Sequence, residues 1–186
     1  MQEKLILRNI QKKQLMENKN MIVEKDVEYS IKNLILNSTE GNFITITNEF
    51  RSDGIVRFDD RPVAILEFKV KRDFSKESTI AQVLCQAMCY YYRLVQKDKN
   101  SIDYTKPFYL IIGDENEISL INIHKIPNNW LMNEKWGTVA PSSASKEPDL
   151  MKIVSSVTEI VTPIYYNYSD INELAFGFYI LFSNKI

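Results

Sequence analysis

The chain has 186 residues, which is long enough for one domain with its own hydrophobic core. Hydrophobic residues make up 45% and charged residues 25% of the sequence, as in an ordinary soluble globular protein that needs no disulfide bonds. The net charge of −1 excludes a global positive field that would attract nucleic acid. Any binding of a polyanion must therefore depend on a local basic patch, a bound cation or a partner.

The first part of the chain is predicted to hold one well-defined helix and three strands. Residues 1–23 are predicted to be an amino-terminal arm or helix with a weak apolar face. A clearer helix is predicted at Glu24–Asn37, because apolar residues recur there every three or four positions and acidic residues occupy the first turn. The strands are predicted at Phe43–Thr47, Gly54–Phe58 and Val63–Val70.

The third of these strands is almost continuously apolar, which predicts a central position in a sheet. A hairpin through residues 59–62 would join it to the second strand. A long helix is predicted at Ile80–Gln96, with Ser78 or Thr79 as its N-cap. Two more strands are predicted at Phe108–Ile112 and Ile118–Ile123.

The last third of the chain is predicted to begin with a long irregular segment, Pro127–Pro148. A loop of this length is functional, partner-binding or flexible, and its Trp130 and Trp136 are interpreted first as core residues. Helices are predicted to follow at Asp149–Thr162 and Asp170–Phe182. The predicted order α-β-β-β-α-β-β plus carboxyl-terminal helices indicates an α/β (α+β) fold, with a central mixed β-sheet flanked by helices.

The two cysteines, Cys85 and Cys89, would lie on one face of the long helix. They are interpreted as buried hydrophobic residues, because a disulfide rarely suits this spacing and a zinc or iron–sulfur site would need four ligands. With no visible signal peptide, a cytoplasmic location is expected. The longest apolar run, Leu174–Phe182, is too short to cross a bilayer, so no membrane role is expected.

The candidate chemistry lies at the ends of the second and third predicted strands. Glu67 and Lys69 point to the same side of a strand and Phe68 to the other, and a hairpin would bring Asp53 beside Glu67. Two carboxylates and an ammonium in one patch are the minimum for holding Mg²⁺ and activating a water against a phosphodiester. The alternative is a surface salt bridge between Glu67 and Lys69, with Asp53 as a turn residue. Burial of these charges in an apolar strand would cost several kcal/mol. Their presence there therefore favours a functional role.

The element order, Asp53, the Glu67-x-Lys69 triplet and Gln86-x-x-x-Tyr90 on the next helix together resemble the PD-(D/E)xK nuclease superfamily. Within it, the chain looks most like the branch of RecB-like nucleases and restriction-endonuclease nuclease domains. The resemblance implies a restriction-endonuclease-like core over the region from the first helix to the fifth strand. Three units are therefore expected, which are an arm at 1–23, a nuclease core at 24–125 and a helical extension at 126–186 that packs on the core.

The resemblance also implies roles for individual residues. Asp53, Glu67 and the main-chain oxygen of Phe68 would bind Mg²⁺, for which Mn²⁺ would substitute. Lys69 would orient or activate the water. Many members add an acidic residue from the first helix, and Glu28 is the candidate here, with Glu24 as the next choice.

Gln86 and Tyr90 would support the metal site or contact DNA, as the resemblance suggests. Gln82 lies one turn earlier on the same helix face and would also point toward the site. The basic residues that follow the triplet, Lys71, Arg72 and Lys76, would suit a phosphate backbone, although a solvated strand end is an equal alternative.

The sequence departs from the family pattern at one position, where Ser52 replaces the proline that precedes the aspartate. The proline stiffens the entry to the strand, so its loss affects recognition of the motif more than the chemistry.

The predicted function is Mg²⁺-dependent DNA endonuclease activity in a restriction–modification or other anti-phage system. The expected partners are DNA, methylase, specificity or motor domains, and a second copy of the chain on the substrate. The alternatives are a catalytically inactive DNA- or protein-binding module of the same fold, and an RNA endonuclease. The acidic pair argues against the inactive module, because a binder does not need it.

Overall fold

The computed structural model describes residues 24–38, 44–70, 72, 76–114, 116–161 and 163–167. In these residues the chain forms a six-stranded mixed sheet with helices on both faces. This arrangement confirms the predicted α/β architecture with a central mixed sheet. The predicted arm at 1–23 and the predicted helix at Asp170–Phe182 lie outside the described residues.

The helices and strands follow the chain in a simple order. The helices are α1 (Glu24–Ser38), α2 (Glu77–Lys97), α3 (Asn128–Leu131), α4 (Lys135–Thr138) and α5 (Pro148–Ile160). The strands are β1 (Ile44–Thr47), β2 (Gly54–Phe58), β3 (Arg61–Phe68), β4 (Tyr109–Gly113), β5 (Glu117–Asn122) and β6 (Ile164–Asn167). Two 3₁₀ helices, the first at Ile123–Lys125 and the second at Pro141–Lys146, lie after β5 and before α5.

The strands lie in the sheet in the order of the chain, β1-β2-β3-β4-β5-β6. All neighbouring strands pair antiparallel except β3 and β4, which are parallel. A parallel pair needs a crossover connection, and the crossover here contains α2. Strand β3 therefore lies inside the sheet, as its apolar sequence predicts.

The β2–β3 hairpin determines the register of the candidate site. Its turn residues Asp59 and Asp60 have φ of 48° and 62°, the pattern of a type I′ turn, whose twist matches that of the flanking strands. The turn is tighter than the four-residue connection expected from the sequence, so β3 begins at Arg61 rather than Val63 and ends at Phe68 rather than Val70. The other predicted elements differ from the observed ones by a few residues at their ends.

The two faces of the sheet carry two separate hydrophobic cores. Ile55 and Ile65 belong to the core beneath α2, whereas Val56 and Leu66 belong to the core beneath α1. Because strand side chains alternate, Glu67 lies on the same face as Ile65, toward α2. The site is thus positioned between the end of β3 and α2.

The predicted N-cap of the long helix is wrong. The helix begins at Glu77, so Ser78 and Thr79 lie in its first turn, and Lys76 occupies the N-cap position without a side-chain hydrogen bond to the helix. The helix buries the face predicted from its spacing, including Tyr91 and both cysteines, which are free thiols. Among the described helices, none is long and apolar enough to cross a bilayer.

The prediction of a long irregular segment at Pro127–Pro148 is also wrong. Three short helical elements occupy it and pack against α2, together with α5. Trp136 is fully buried and its Nε1–H donates to the Trp130 carbonyl at 2.8 Å, so this tryptophan is a core residue as predicted. Strand β6, which the sequence did not predict, pairs with β5 and extends the sheet.

Candidate active site

Asp53 and Glu67 meet where β2 begins and β3 ends. Gly54 pairs with Leu66, so the residues just outside this pair, Asp53 and Glu67, lie next to each other. Asp53 is also tied to β3, because its Oδ2 accepts a hydrogen bond from the Phe68 N–H at 2.6 Å. The hairpin thus brings together the two carboxylates that the sequence predicts to be neighbours.

Lys69 lies one residue beyond β3 but is held in place by the sheet. Its N–H donates to the Gly113 carbonyl of β4 at 2.9 Å. Its Nζ donates to Glu67 Oε1 at 2.6 Å and to the Phe68 carbonyl at 2.8 Å. The ammonium therefore lies against the buried Glu67 carboxylate and is itself partly exposed to solvent.

Glu67 is the most unusual charged residue of the site, since it is only 3% exposed. Lys69 satisfies its Oε1, but its Oε2 is buried and has no hydrogen-bond partner among the described residues. Burial raises the pKa of Glu67 from 4.5 to about 7, although Lys69 opposes the rise, and the nearby Asp53 carboxylate adds to it. An unsatisfied buried carboxylate oxygen is costly, and such groups call for a functional explanation.

The other two groups have smaller shifts. Burial raises the pKa of Asp53, and the hydrogen bond from the Phe68 N–H opposes this rise. Burial by itself lowers the pKa of Lys69, but the carboxylates of Glu67, Asp53 and Glu24 together outweigh it, and the pKa lies above its usual value. Lys69 is thus an ammonium at neutral pH, able to donate hydrogen bonds and offset negative charge but not to accept a proton.

The residues present fit a hard divalent cation. The unsatisfied Glu67 Oε2 and the adjacent Asp53 carboxylate are oxygen donors of the kind that Mg²⁺ and Mn²⁺ prefer. The Phe68 carbonyl, the third predicted ligand, accepts from Lys69 Nζ. Within the described part of the chain, no group of three or more His, Cys, Asp or Glu side chains is arranged to hold a metal. The site offers two carboxylates and a carbonyl as oxygen ligands, and waters would have to complete the coordination shell of a bound Mg²⁺.

The acidic residues of α1 are placed less favourably for binding a cation than Asp53 and Glu67. Glu28 Oε1 accepts from Lys32 Nζ at 2.5 Å, which ties the predicted extra ligand to its own helix. Glu24 Oε1 lies 3.8 Å from Lys69 Nζ and contributes to the raised pKa of both Asp53 and Glu67. The second-choice residue, Glu24, thus lies beside the triplet lysine, whereas Glu28 is paired with Lys32 and adds to the raised pKa of Asp53.

Tyr90 of α2 contacts the turn that leads into the site. Its side chain is buried, and its hydroxyl donates to the Arg51 carbonyl at 3.3 Å, in the turn that leads into Asp53. Burial raises the pKa of Tyr90, and the charges of Glu67 and Asp53 raise it further, so it remains a neutral phenol near the two carboxylates. Its observed hydrogen bond is with the main chain of Arg51, and it helps to hold the turn that positions Asp53.

Ser52 forms contacts that a proline could not form. Its N–H and its hydroxyl both donate to the Glu49 carbonyl, at 2.9 and 2.8 Å. The two preceding residues, Phe50 and Arg51, have positive φ of 56° and 67°. The entry to Asp53 is thus a tight hydrogen-bonded turn, and the serine stabilises this turn directly.

A small polar groove, here called the α2 groove, leads away from the site between α2 and the second 3₁₀ helix. Its volume is about 170 Å³. The polar residues that line it are Lys69, Arg72, Gln82, Gln86, Thr79, Ser142 and Ser145. Sequence reasoning placed the first four near the site but did not identify the two serines, because no local pattern brings residues 142 and 145 to α2.

The remaining predicted DNA-binding residues lie elsewhere. Lys71 is outside the described residues. Lys76 is exposed at the start of α2 and does not line the described part of the α2 groove.

His124 is structural, since its ring nitrogens contact the Tyr91 hydroxyl at 2.9 Å and the Lys106 carbonyl at 2.6 Å.

The chain was compared with models of protein families, with curated proteins and with solved structures. None of the three comparisons found a match. The resemblance to the PD-(D/E)xK superfamily thus rests on the residues and the geometry described above.

Proposed function

We propose that this chain is a Mg²⁺-dependent nuclease with a restriction-endonuclease-like core, which hydrolyses phosphodiester bonds of DNA. The observation that supports it most is the buried Glu67 carboxylate, with one oxygen on Lys69 and the other unsatisfied, next to Asp53. In a structural ion pair, both carboxylate oxygens usually have hydrogen-bond partners when they are buried. A cation site explains why this oxygen is buried and unpaired.

In the proposed reaction, water attacks phosphorus and the bond to the leaving oxygen breaks, which leaves a phosphate monoester and a hydroxyl. Asp53 and Glu67 would hold the cation, which supplies charge neutralisation and lowers the pKa of water. Lys69 would donate a hydrogen bond to a phosphate oxygen and offset the negative charge that develops there. Tyr90 would keep the turn before Asp53 in place.

The setting proposed for this activity is a restriction–modification or other anti-phage system. The net charge of −1 gives little general affinity for DNA, so a partner domain or a second copy would supply part of the binding.

Cleavage of plasmid, linear duplex and single-stranded DNA with Mg²⁺, Mn²⁺ or EDTA tests the proposal. Asp53→Asn and Lys69→Met should each reduce the rate by about 100-fold or more, because Asp53 would hold the cation and Lys69 would offset the charge on the reacting phosphate. Asp60→Asn, in the exposed hairpin turn, and Lys125→Met, on the first 3₁₀ helix, are matched controls that should cleave like the wild type.

Two outcomes would contradict the proposal. Cleavage that survives both site variants would place the chemistry elsewhere. Metal-independent DNA binding without cleavage, together with no Mn²⁺ binding by calorimetry, would favour the inactive nuclease-fold module instead. An RNA substrate included in each assay decides between the two nucleic acids.

A further inference from the structure

The α2 groove continues from Lys69 and is chemically suited to an anion. Lys69 and Arg72 contribute two cations, and the other polar groups are amides and hydroxyls. Among the described lining residues there is no carboxylate. A phosphate group would therefore meet positive charge and hydrogen-bond donors along the groove.

The wall opposite α2 comes from the second 3₁₀ helix. Residues three apart eclipse each other in a 3₁₀ helix, so Ser142 and Ser145 share one side, and this side faces the groove. Ala144, between them, is fully buried and anchors the helix in the core beneath α2. The two hydroxyls are thus presented by a fixed element rather than by a loose loop.

The two hydroxyls are available to a ligand. Within the described residues, no hydrogen bond occupies the side chain of Ser142 or Ser145. The groove, at about 170 Å³, is smaller than the roughly 300–1,000 Å³ of pockets that enclose small molecules. It fits a backbone segment of a polymer better than a whole nucleotide.

We propose that Ser142 and Ser145, together with Arg72 and Gln82, bind a phosphate of the nucleic-acid backbone next to the phosphate at Lys69. This inference rests on the proposed function and gives the carboxyl-terminal segment a role in holding the substrate. The serines are positioning residues, because their contact is with a phosphate that does not react. Contacts of this kind fix the register of the strand without reading its sequence.

The test is the binding of fluorescently labelled DNA by anisotropy, in EDTA and at low salt, so that it does not depend on catalysis. The Ser142→Ala/Ser145→Ala double variant should weaken binding by roughly tenfold, since two hydrogen bonds to a charged phosphate are lost. Ser142→Glu should weaken it at least as much by adding a negative charge. Ser143→Ala is the matched control, because Ser143 is on the same 3₁₀ helix but does not line the groove.

Cleavage kinetics give a second readout. For the double variant, KM should rise while kcat stays close to that of the wild type, because uniform binding is lost. Parallel titrations with RNA of the same sequence show whether the groove accepts either phosphodiester backbone.

Two results would overturn the inference. One is wild-type affinity and KM in both serine variants, and if these variants also cleave normally, the proposed function stands without the groove contact. The other is the absence of any nucleic-acid binding by the wild-type protein at low salt. Weakened binding by the serine variants, with no cleavage by any form and no Mn²⁺ binding by calorimetry, would instead support the groove and reject the nuclease.

Discussion

The Glu67 carboxylate lies at the end of β3, where one oxygen accepts from Lys69 and the other has no partner in the described part of the chain. Its pKa of about 7 means that folding favours the protonated form, whereas cation binding requires the carboxylate. Folding stability and the proposed chemistry thus make opposite demands on this residue. Such conflicts concentrate at functional sites.

A divalent cation should therefore stabilise the folded protein through Glu67. We expect Mg²⁺ or Mn²⁺ to raise the melting temperature at pH 8, because the cation binds the folded state and not the unfolded chain. In Glu67→Gln this rise should be lost, since the neutral amide is a poor ligand for a hard cation. Differential scanning calorimetry with and without cation measures both values.

Asp60→Asn serves as the control for this prediction, because it removes a carboxylate from an exposed turn. Its melting temperature should rise with the cation as in the wild type. An equal rise in Glu67→Gln would show that the cation binds somewhere other than the proposed site.

At the scale of elements, the turn before Asp53 is held by hydrogen bonds. The Ser52 N–H and hydroxyl both donate to Glu49, and Tyr90 holds the Arg51 carbonyl from α2. Positive φ at Phe50 and Arg51 makes this turn dependent on such support.

A proline at position 52 should accordingly destabilise this protein. Ser52→Pro removes the N–H donor and disfavours the positive φ of Arg51, and we expect it to lower the free energy of unfolding by about 3 kcal/mol. Ser52→Ala, which removes only the hydroxyl, should lower it by about 1 kcal/mol. Urea denaturation of both variants measures the difference. Equal stability of the two would mean that the N–H contributes nothing to the turn.

The elements that the sequence predicts are those with a repeated pattern. The apolar spacing of α1 and α2 and the alternation of β1 extend over several turns or residues, and these elements are predicted within a few positions of their observed ends. Helices α3 and α4 have one turn each, which is too short for a periodic signal. Strand β6 has four residues and depends on pairing with β5, a nonlocal contact that its own sequence does not reveal.

The candidate site is likewise predictable from the sequence only where local contacts determine it. The approach of Asp53 to Glu67 is predictable, because one short hairpin determines it. The position of Lys69 beyond the strand depends on the Gly113 carbonyl of β4, and Ser142 and Ser145 reach the site through packing on α2. These contacts join segments far apart in the chain, so only the folded structure shows them.

Over the whole molecule, a charged cluster ties the sheet to the far end of α2. Arg57 of β2 donates to Glu49 at 2.9 Å and to Asp98 at 2.8 Å, and Lys97 donates to Glu49 at 2.8 Å. Burial raises the pKa of Glu49, but hydrogen bonds from Lys97, Thr47 and Arg57 outweigh it and lower the pKa to about 2. The contacts that Glu49 makes in this cluster stabilise the fold fully only while Glu49 is ionised.

Glu49 and Glu67 together predict how stability depends on pH in the absence of cations. Glu49 has a lowered pKa in the folded state, so its contribution is complete above its ordinary value of 4.5 and is lost as the pH falls toward 2. Glu67 has a raised pKa, so the folded state binds the extra proton, and stability falls as the pH rises from 4.5 to about 7. These two groups therefore place the maximum of the free energy of unfolding near pH 4.5 to 5.

Urea denaturation in EDTA at a series of pH values tests this profile. Glu67→Gln should remove the decline between pH 4.5 and 7 and be more stable than the wild type at pH 8, by at most about 3 kcal/mol, while the acid limb persists. Glu49→Gln should flatten the acid limb and lower stability at neutral pH, because Arg57 and Lys97 lose their carboxylate. A wild-type decline between pH 4.5 and 7 that persists unchanged in Glu67→Gln would show that this carboxyl is not the group that opposes folding. Saturating cation should raise the free energy of unfolding of the wild type at pH 8 but leave that of Glu67→Gln unchanged. This result would connect the stability profile to the proposed metal site.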